Sequence, residues 1–142
     1  MRLWKENMAE KIIINAEGAV FGRLCSFAAK KALEGNEIII VNSEKAVITG
    51  NKQDIIQKYI ALRASGGHSQ KRPKYTKIPS YMIKRGIRGM LPDHRKGIGK
   101  QALSKIRCYN DIPEEFKNQK MNNIQGTNNS KFITLKELSE RI

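Results

Sequence analysis

The stretch KIIINAEGAVFGRLCSFAAKKALEGNEIIIVN, residues 11–42, decides the fold class. Residues 11–15 predict a short buried strand, and residues 37–42 predict a second strand that is apolar at every position from Ile38 to Val41. Between them, apolar residues recur at helical spacing over 20–34, and Gly35 is a typical helix end. Uniform apolarity indicates a strand buried on both faces, as in a parallel sheet covered by helices. The segment therefore predicts a βαβ unit of an α/β fold.

Further elements extend this unit towards the C-terminus. Residues 46–49 suit a short third strand, and residues 106–109 suit a last one. Thr134 and Glu137 have the spacing of a capping box, which predicts a final helix near residues 135–141. Additional helical patterns cover residues 51–64 and 79–91, and residues 101–105 read as the end of a short helix.

Positive charge is concentrated in the middle of the chain. The 142 residues include 27 Lys or Arg and 13 Asp or Glu, a net charge of +14. Residues 63–107 contain 13 of the basic residues and a single acidic one, Asp93, and thus carry a net charge of +12. Such density repels itself unless a polyanion neutralises it, and nucleic acid is the favoured partner. An anionic membrane is disfavoured because basic membrane-surface helices carry Trp, Phe or Leu faces, and the only Trp, Trp4, lies far from the basic segment.

The basic segment contains an extended arm and an amphipathic helix. Residues 65–77 are Gly-rich and basic with little apolar surface, which predicts a long basic loop with a functional role. Within it, Tyr75 either stacks on an unpaired base or packs back on the domain. In the helix at 79–91, helical spacing places Ile83, Ile87 and Met90 on one face and basic residues on the other. A second basic loop is predicted at 94–100.

Catalytic, metal and cofactor motifs do not emerge from the sequence. The spacing of Gly18 and Gly22 lacks the remaining residues of a dinucleotide fingerprint, and the run from Gly97 to Lys100 fails the phosphate-loop pattern at two positions. Cys25, His68, His94 and Cys108 share no metal-ligand spacing. We therefore expect no enzyme activity, no cofactor, no metal and no small-molecule substrate.

Targeting signals are also not apparent. The longest apolar runs are far shorter than the roughly 20 residues that span a bilayer, and charges interrupt residues 1–11 as they would not in a signal peptide. The two cysteines form no disulfide framework. These observations favour a cytoplasmic protein.

At the middle segment the chain resembles ribosomal large-subunit protein L13. The resemblance is carried by Gly67-His68, Arg72-Pro73 and the run from Ile78 to Pro92, which closes in Met-Leu-Pro. Further matches follow in order on both sides: Gly22-Arg23-Leu24, Ile40-Val41-Asn42, Ile48-Thr49-Gly50, Gly99 to Leu103, and Ile106 to Tyr109. They cover about residues 11–113. The sequence of residues 94–102 suggests the archaeal type, and so does the short Asn-rich tail, which lacks a long basic extension.

The resemblance implies a structural constituent of the large ribosomal subunit that binds large-subunit rRNA, has neighbouring ribosomal proteins as partners, and supports subunit assembly and translation. It also implies a three-layer α/β/α core around a mostly parallel sheet of about four strands. One domain over residues 1–142 is expected, with a basic RNA-binding segment at 63–107 and a tail at 114–142 of unassigned role.

The positions of the charged residues and of the family motifs predict which residues contact RNA. The predicted RNA-binding residues are Arg63, His68, Lys71, Arg72, Lys74, Tyr75, Lys77, Lys84, Arg85, Arg88, His94, Arg95, Lys96 and Lys100. Four glycines are expected to let RNA or a neighbouring backbone approach closely: Gly66, Gly67, Gly86 and Gly89.

Two alternatives from other classes remain at this point. A chromatin-like DNA-binding protein would share the charge, although no groove-reading element or dimer interface is visible. An RNA-modifying enzyme on an α/β core would need a cofactor loop, which the residues around Gly18 do not provide.

Overall fold

A computed structural model describes residues 10–64, 76–124, 126 and 131–142. The described residues form strands, helices and two short 3₁₀ turns, which lie at Ser43–Lys45 and Glu114–Phe116. In chain order the elements are β1 (Lys11–Asn15), α1 (Phe21–Leu33), β2 (Glu37–Val41), β3 (Val47–Thr49), α2 (Lys52–Ala64), α3 (Pro79–Met90), α4 (Gly97–Ser104), β4 (Ile106–Cys108), β5 (Asn122–Asn123), β6 (Phe132–Thr134) and α5 (Leu135–Arg141).

The main sheet has four parallel strands in the order β4-β2-β1-β5. Ile12 pairs with Ile38, and Ile38 pairs in turn with Ile106. The predicted βαβ unit and the mostly parallel sheet of about four strands are thus confirmed. The third strand predicted at 46–49 also forms, but β3 lies outside this sheet and pairs antiparallel with β6.

Helices cover one face of the sheet. Ile14, Ile38, Ile40 and Ile106 are fully buried on this face, and all five helices contribute side chains to the same core. Burying a side chain of this size contributes about 1.5–3 kcal/mol relative to leaving it in water. Because side chains alternate between the two faces along each strand, every second residue of the aliphatic runs faces the helices.

The other face of the sheet is covered by a short segment after β4. Ile13, Ile39 and Val41 are buried there against Phe116 of the second 3₁₀ turn. This segment forms a third layer, so β2 is buried on both faces, as its uniform apolarity predicted. The α/β class and its three layers are confirmed.

The buried face of α3 differs from the predicted one at one position. Ile83 and Ile87 are fully buried as expected, but Met90 is 47% exposed, and Met82 is the methionine that packs into the core. Met90 is the last residue of the helix, and at this end the core contact is made by the following residue, Leu91, which is buried.

The predicted second basic loop is wrong for its second half, because Gly97 to Lys100 form the first turn of α4. This turn packs tightly on the preceding chain: a β-carbon at Gly99 would collide with the backbone carbonyl groups of Pro92 and Asp93. The earlier half does form a turn, in which the Asp93 side chain accepts the backbone N–H of Arg95 at 3.0 Å.

The C-terminal tail is part of the core. Ile133, Leu135 and Leu138 are fully buried, and the predicted helix begins as the capping pattern indicated, with Thr134 Oγ1 accepting the backbone N–H of Glu137 at 3.2 Å. The tail, whose role the sequence left unassigned, therefore supplies β5, β6 and α5.

Candidate nucleic-acid interface

Helix α3 is held in place at its start and along its buried face. Pro79 occupies the first turn, where a missing N–H costs nothing. The next N–H, of Ser80, has no partner within the helix and donates to Asn110 Oδ1 at 3.0 Å. Because Asn110 lies just after β4, this bond fixes α3 against the edge strand of the sheet. The exposed face of α3 is thereby fixed beside β4.

A cationic groove runs along the exposed face of α3. Its lining includes Tyr81, Lys84, Arg85 and Arg88, and its volume is about 270 Å³. These residues follow one another at spacings of three, four and seven from Tyr81, which brings them to one side of a helix. Tyr81 is 59% exposed, so its ring is available to a ligand in the groove.

A second groove of about 240 Å³ adjoins the first on the β4 side. It shares Tyr81 and Lys84 with the first groove and adds Arg107 and Tyr109. Arg107 is exposed because its neighbour Ile106 points into the core and side chains alternate along the strand. We call Tyr81, Lys84, Arg85, Arg88 and Arg107 the α3–β4 surface.

No ion pair within the described ranges neutralises Lys84, Arg88 or Arg107. The ion pairs of the described residues lie elsewhere: Lys31–Glu34 at 3.6 Å, Lys52–Glu137 at 3.3 Å and Arg141–Glu137 at 3.6 Å. Neither groove has a carboxylate in its lining; Glu37 lines the next cavity, beyond Arg107. The α3–β4 surface therefore presents positive charge to an external anion.

Arg63 is engaged within the chain. It is half-buried at the end of α2, and its Nη1 donates to the carbonyl oxygen of Ile142 at 2.9 Å. Its described role is to join α2 to the last residue of the chain. Contact between Arg63 and RNA stays a prediction.

The other predicted basic contacts are not gathered on the α3–β4 surface. Lys77 is exposed before α3. Arg95 and Lys96 are exposed between α3 and α4, with His94 half-buried beside them, and Lys100 is exposed in the first turn of α4. None of them lines either groove. The remaining predicted residues lie outside the described ranges: His68, Lys71, Arg72, Lys74, Tyr75 and the glycines Gly66 and Gly67.

The two described glycines of α3 differ from each other. A β-carbon at Gly86 would lie 2.8 Å from Phe21 Cζ of α1, so the close approach at this position is to a side chain of the same chain and not to a neighbouring backbone. A β-carbon at Gly89 would meet nothing within 4 Å. The predicted approach of RNA to Gly89 remains a prediction.

Tyr81 and Arg107 are members of the surface that were absent from the residues predicted above. For Tyr81 a signal was present, because it lies on the same helical face as the basic residues of α3. For Arg107 no local pattern could reveal the neighbours, since α3 and β4 meet through tertiary packing.

The two thiols are poor candidates for reactive groups. Burial raises the pKa of Cys25 to about 12, with the nearby Cys108 adding to the rise. Burial likewise raises the pKa of Cys108 to about 12, although the positive charge of Lys84 opposes it. Both thiols therefore stay protonated at neutral pH, where a thiolate would be needed for nucleophilic attack.

Two further searches cover the part of the chain that the structure describes. No group of three or more His, Cys, Asp or Glu residues is arranged to hold a metal ion there. No helix there combines the length and apolarity needed to cross a bilayer.

These features define the class of the protein. It is a basic α/β protein with a parallel sheet, and its cationic grooves and exposed tyrosine form a surface suited to a polyanion. The family model of ribosomal protein L13 matches residues 9–115. This chain belongs to that family, and to its archaeal type.

Curated archaeal relatives match along nearly their whole length. Large ribosomal subunit protein uL13 of Methanococcus maripaludis is 43% identical over 132 residues, which cover 91% of this chain and 95% of the relative. The uL13 protein of Thermoplasma acidophilum is 41% identical over 133 residues, covering 92% and 96%. That of Methanocaldococcus jannaschii is 40% identical over 134 residues, with the same coverage.

Proposed function

We propose that this chain is a structural constituent of the large ribosomal subunit that binds large-subunit rRNA and supports subunit assembly and translation in the cytoplasm. The observation that carries the proposal is the α3–β4 surface, on which basic side chains from a helix and an edge strand converge without a carboxylate in either groove. Membership of the ribosomal protein L13 family and the names of the relatives support the same function.

Binding on this surface would be driven by phosphate neutralisation. Each phosphate paired with Lys or Arg releases condensed counterions, which makes the affinity strongly dependent on salt. Arg88 and Arg107 can each hold two phosphate oxygens in a fork geometry, and Tyr81 offers a ring for an unpaired base. Phosphate contacts of this kind recognise the shape and backbone of RNA and carry no sequence information directly.

The remaining basic residues extend the proposed contact area. We place Lys77, His94, Arg95, Lys96 and Lys100 against RNA as well, together with the arm residues of the basic segment at 63–107. Neighbouring large-subunit proteins are the other proposed partners. The proposed role is structural in one domain over residues 1–142, with no enzyme activity, cofactor or small-molecule substrate.

Sucrose-gradient fractionation tests the proposal. The wild-type chain, expressed in an archaeal host, is expected to sediment with large subunits and to stay with them through a moderate salt wash. Lys84→Gln, Arg88→Gln and Arg107→Gln combined should reduce this association. The matched control removes three charges elsewhere, at Lys30, Lys31 and Lys52, and should leave association near the wild-type level. A chain that remains at the top of the gradient contradicts the proposal.

A competition experiment separates this proposal from chromatin-like DNA binding. Purified chain is titrated with large-subunit rRNA and with duplex DNA at the same salt concentration, because the electrostatic term varies strongly with salt. Tighter binding to rRNA is expected. A preference for duplex DNA would favour the DNA-binding alternative.

A further inference from the structure

An apolar cavity of about 220 Å³ lies beside the α3–β4 surface, at the junction of α1, α2 and α3. Phe21 of α1, Tyr59 of α2 and Met82 of α3 line it together with Gly86 and Gly89. We call it the glycine cavity. Arg85 lines both the glycine cavity and the cationic groove, so the two spaces adjoin at this side chain.

The cavity depends on the two glycines of α3. Gly86 and Gly89 are three residues apart and therefore lie on one side of the helix. A β-carbon at Gly86 would already crowd Phe21, whereas the space beside Gly89 is open for at least 4 Å. Glycine lowers the stability of a helix by about 0.5–1 kcal/mol relative to alanine. The cavity therefore borders the part of α3 where two glycines lower the stability of the helix and contribute no side chains to fill the space.

The size and lining of the cavity limit what it can hold. Its volume is below the range of about 300–1,000 Å³ that is usual for sites of drug-sized ligands, but it exceeds several times the roughly 30 Å³ of one water molecule. The aromatic rings of Phe21 and Tyr59 favour a flat apolar group. A single planar ring system fits these requirements.

We propose that the glycine cavity receives one unpaired nucleobase of the rRNA strand whose phosphates lie on the α3–β4 surface, an inference that rests on the proposed function. A base leaving the strand at Arg85 would enter a cavity lined by two aromatic rings, and aromatic side chains commonly stack on unpaired bases in RNA sites. The guanidinium group of Arg85 would remain near the phosphate of the same nucleotide.

Charge favours a nucleotide over an apolar side chain of a neighbouring protein. The entrance shared with the cationic groove is flanked by Lys84, Arg85 and Arg88. This environment attracts the phosphate that accompanies a base, whereas it offers an apolar protein segment nothing to offset the loss of hydration of these cations.

Filling the cavity tests the proposal. Gly89→Leu places a side chain in the open space, and Phe21→Leu removes one aromatic ring while keeping an apolar residue. Each full-length variant is bound to large-subunit rRNA transcribed in vitro. Base reactivity is probed with dimethyl sulfate and a carbodiimide, and backbone protection is mapped with hydroxyl radicals. Gly22→Ala is the control, since Gly22 is an exposed glycine of α1 with nothing within 4 Å of a β-carbon and does not line the cavity.

The expected result is one nucleotide whose base is protected by the wild type and becomes reactive with Gly89→Leu and Phe21→Leu, while the backbone protections persist. Affinity should fall by about 5-fold to 150-fold, as expected for the stacking of one base. Circular dichroism and thermal melting establish that each variant is folded, and Gly89→Ala, which adds a single methyl group, serves as a milder second filling.

Three outcomes would overturn the proposal. Unchanged base reactivities with Gly89→Leu would exclude a base from the cavity. If, in addition, Gly89→Leu fails to enter large subunits in sucrose gradients, the cavity is occupied by a neighbouring protein and not by a base. If the wild type gives no backbone protection at all, the proposed function itself fails together with the base site. The first two outcomes leave backbone protection intact and are thereby distinguished from the third.

Discussion

Gly86 of α3 packs directly against Phe21 of α1, so closely that a β-carbon at position 86 would lie 2.8 Å from Phe21 Cζ and 3.0 Å from Cys25 Sγ. The Cys25 thiol also donates to the carbonyl oxygen of Ile83 at 3.7 Å. The two helices therefore approach through a glycine on one side and a small thiol on the other. This contact sets how closely α1 and α3 approach each other.

Gly86→Ala should destabilise the isolated protein. Overpacking of this kind costs about 1–3 kcal/mol, and the higher helix propensity of alanine offsets about 1 kcal/mol, so a net loss of up to about 2 kcal/mol is expected in urea unfolding. Gly89→Ala is the matched control and should be neutral or stabilising, because its methyl group meets nothing within 4 Å. If the two variants shifted the urea midpoint equally and in the same direction, the difference in packing between Gly86 and Gly89 would be contradicted.

Binding to rRNA should depend steeply on salt. Neutralising about six phosphates gives a slope of about −4 to −5 in log K against log salt. Replacing Lys84, Arg88 and Arg107 together by Gln should reduce the slope by about two to three units in filter-binding titrations at several salt concentrations. The fold should be retained, since these side chains point away from the core.

The control for this slope replaces Lys30, Lys31 and Lys52 by Gln. Lys31 and Lys52 are paired with Glu34 and Glu137, and all three lie outside the α3–β4 surface. The control should change the slope far less than the first triple variant. Equal effects would mean that net charge alone governs binding.

Leu138→Ala should destabilise the protein although it lies in the tail. Leu138 is fully buried among residues of the helix-covered core, and removing a buried Leu side chain typically costs about 2–5 kcal/mol. Urea unfolding followed by circular dichroism measures the loss. Lys136→Ala on the exposed face of the same helix should change the free energy of unfolding by less than about 0.5 kcal/mol. A tail that frays independently of the core would show no difference between the two variants.

The buried thiol of Cys25 and the half-buried thiol of Cys108 should make the folded protein less stable at alkaline pH. In the folded state the pKa of both Cys25 and Cys108 is raised from 9.0 to about 12. Between pH 9 and 12 the unfolded chain loses these protons while the folded chain keeps them, so stability declines as pH rises through this window. Cys25→Ala with Cys108→Ala should show a shallower decline in urea midpoints. Iodoacetamide at pH 8 should label Cys25 only after unfolding; rapid labelling of Cys25 in the native protein would contradict its burial.

Local patterns in the sequence predicted most of the secondary structure. The βαβ unit, the helices α2 and α3 and the cap at Thr134 form within a residue or two of the expected positions. Each depends on interactions among residues close in the chain: periodic apolar residues, a terminating glycine, a capping hydroxyl. The concentration of positive charge and the resemblance to the L13 family required no coordinates either.

The tertiary structure decided which residues share a surface and which share a core. Met82 is buried and Met90 is 47% exposed, a difference that the periodicity of α3 did not predict. The sequence could not tell that Gly86 meets α1, that β3 pairs with β6, or that Arg107 joins Lys84 beside Tyr81, since these contacts link residues 23 to 87 positions apart. The periodicity of apolar residues shows that a side chain packs against another element. Which element it meets depends on how the separate helices and strands pack together.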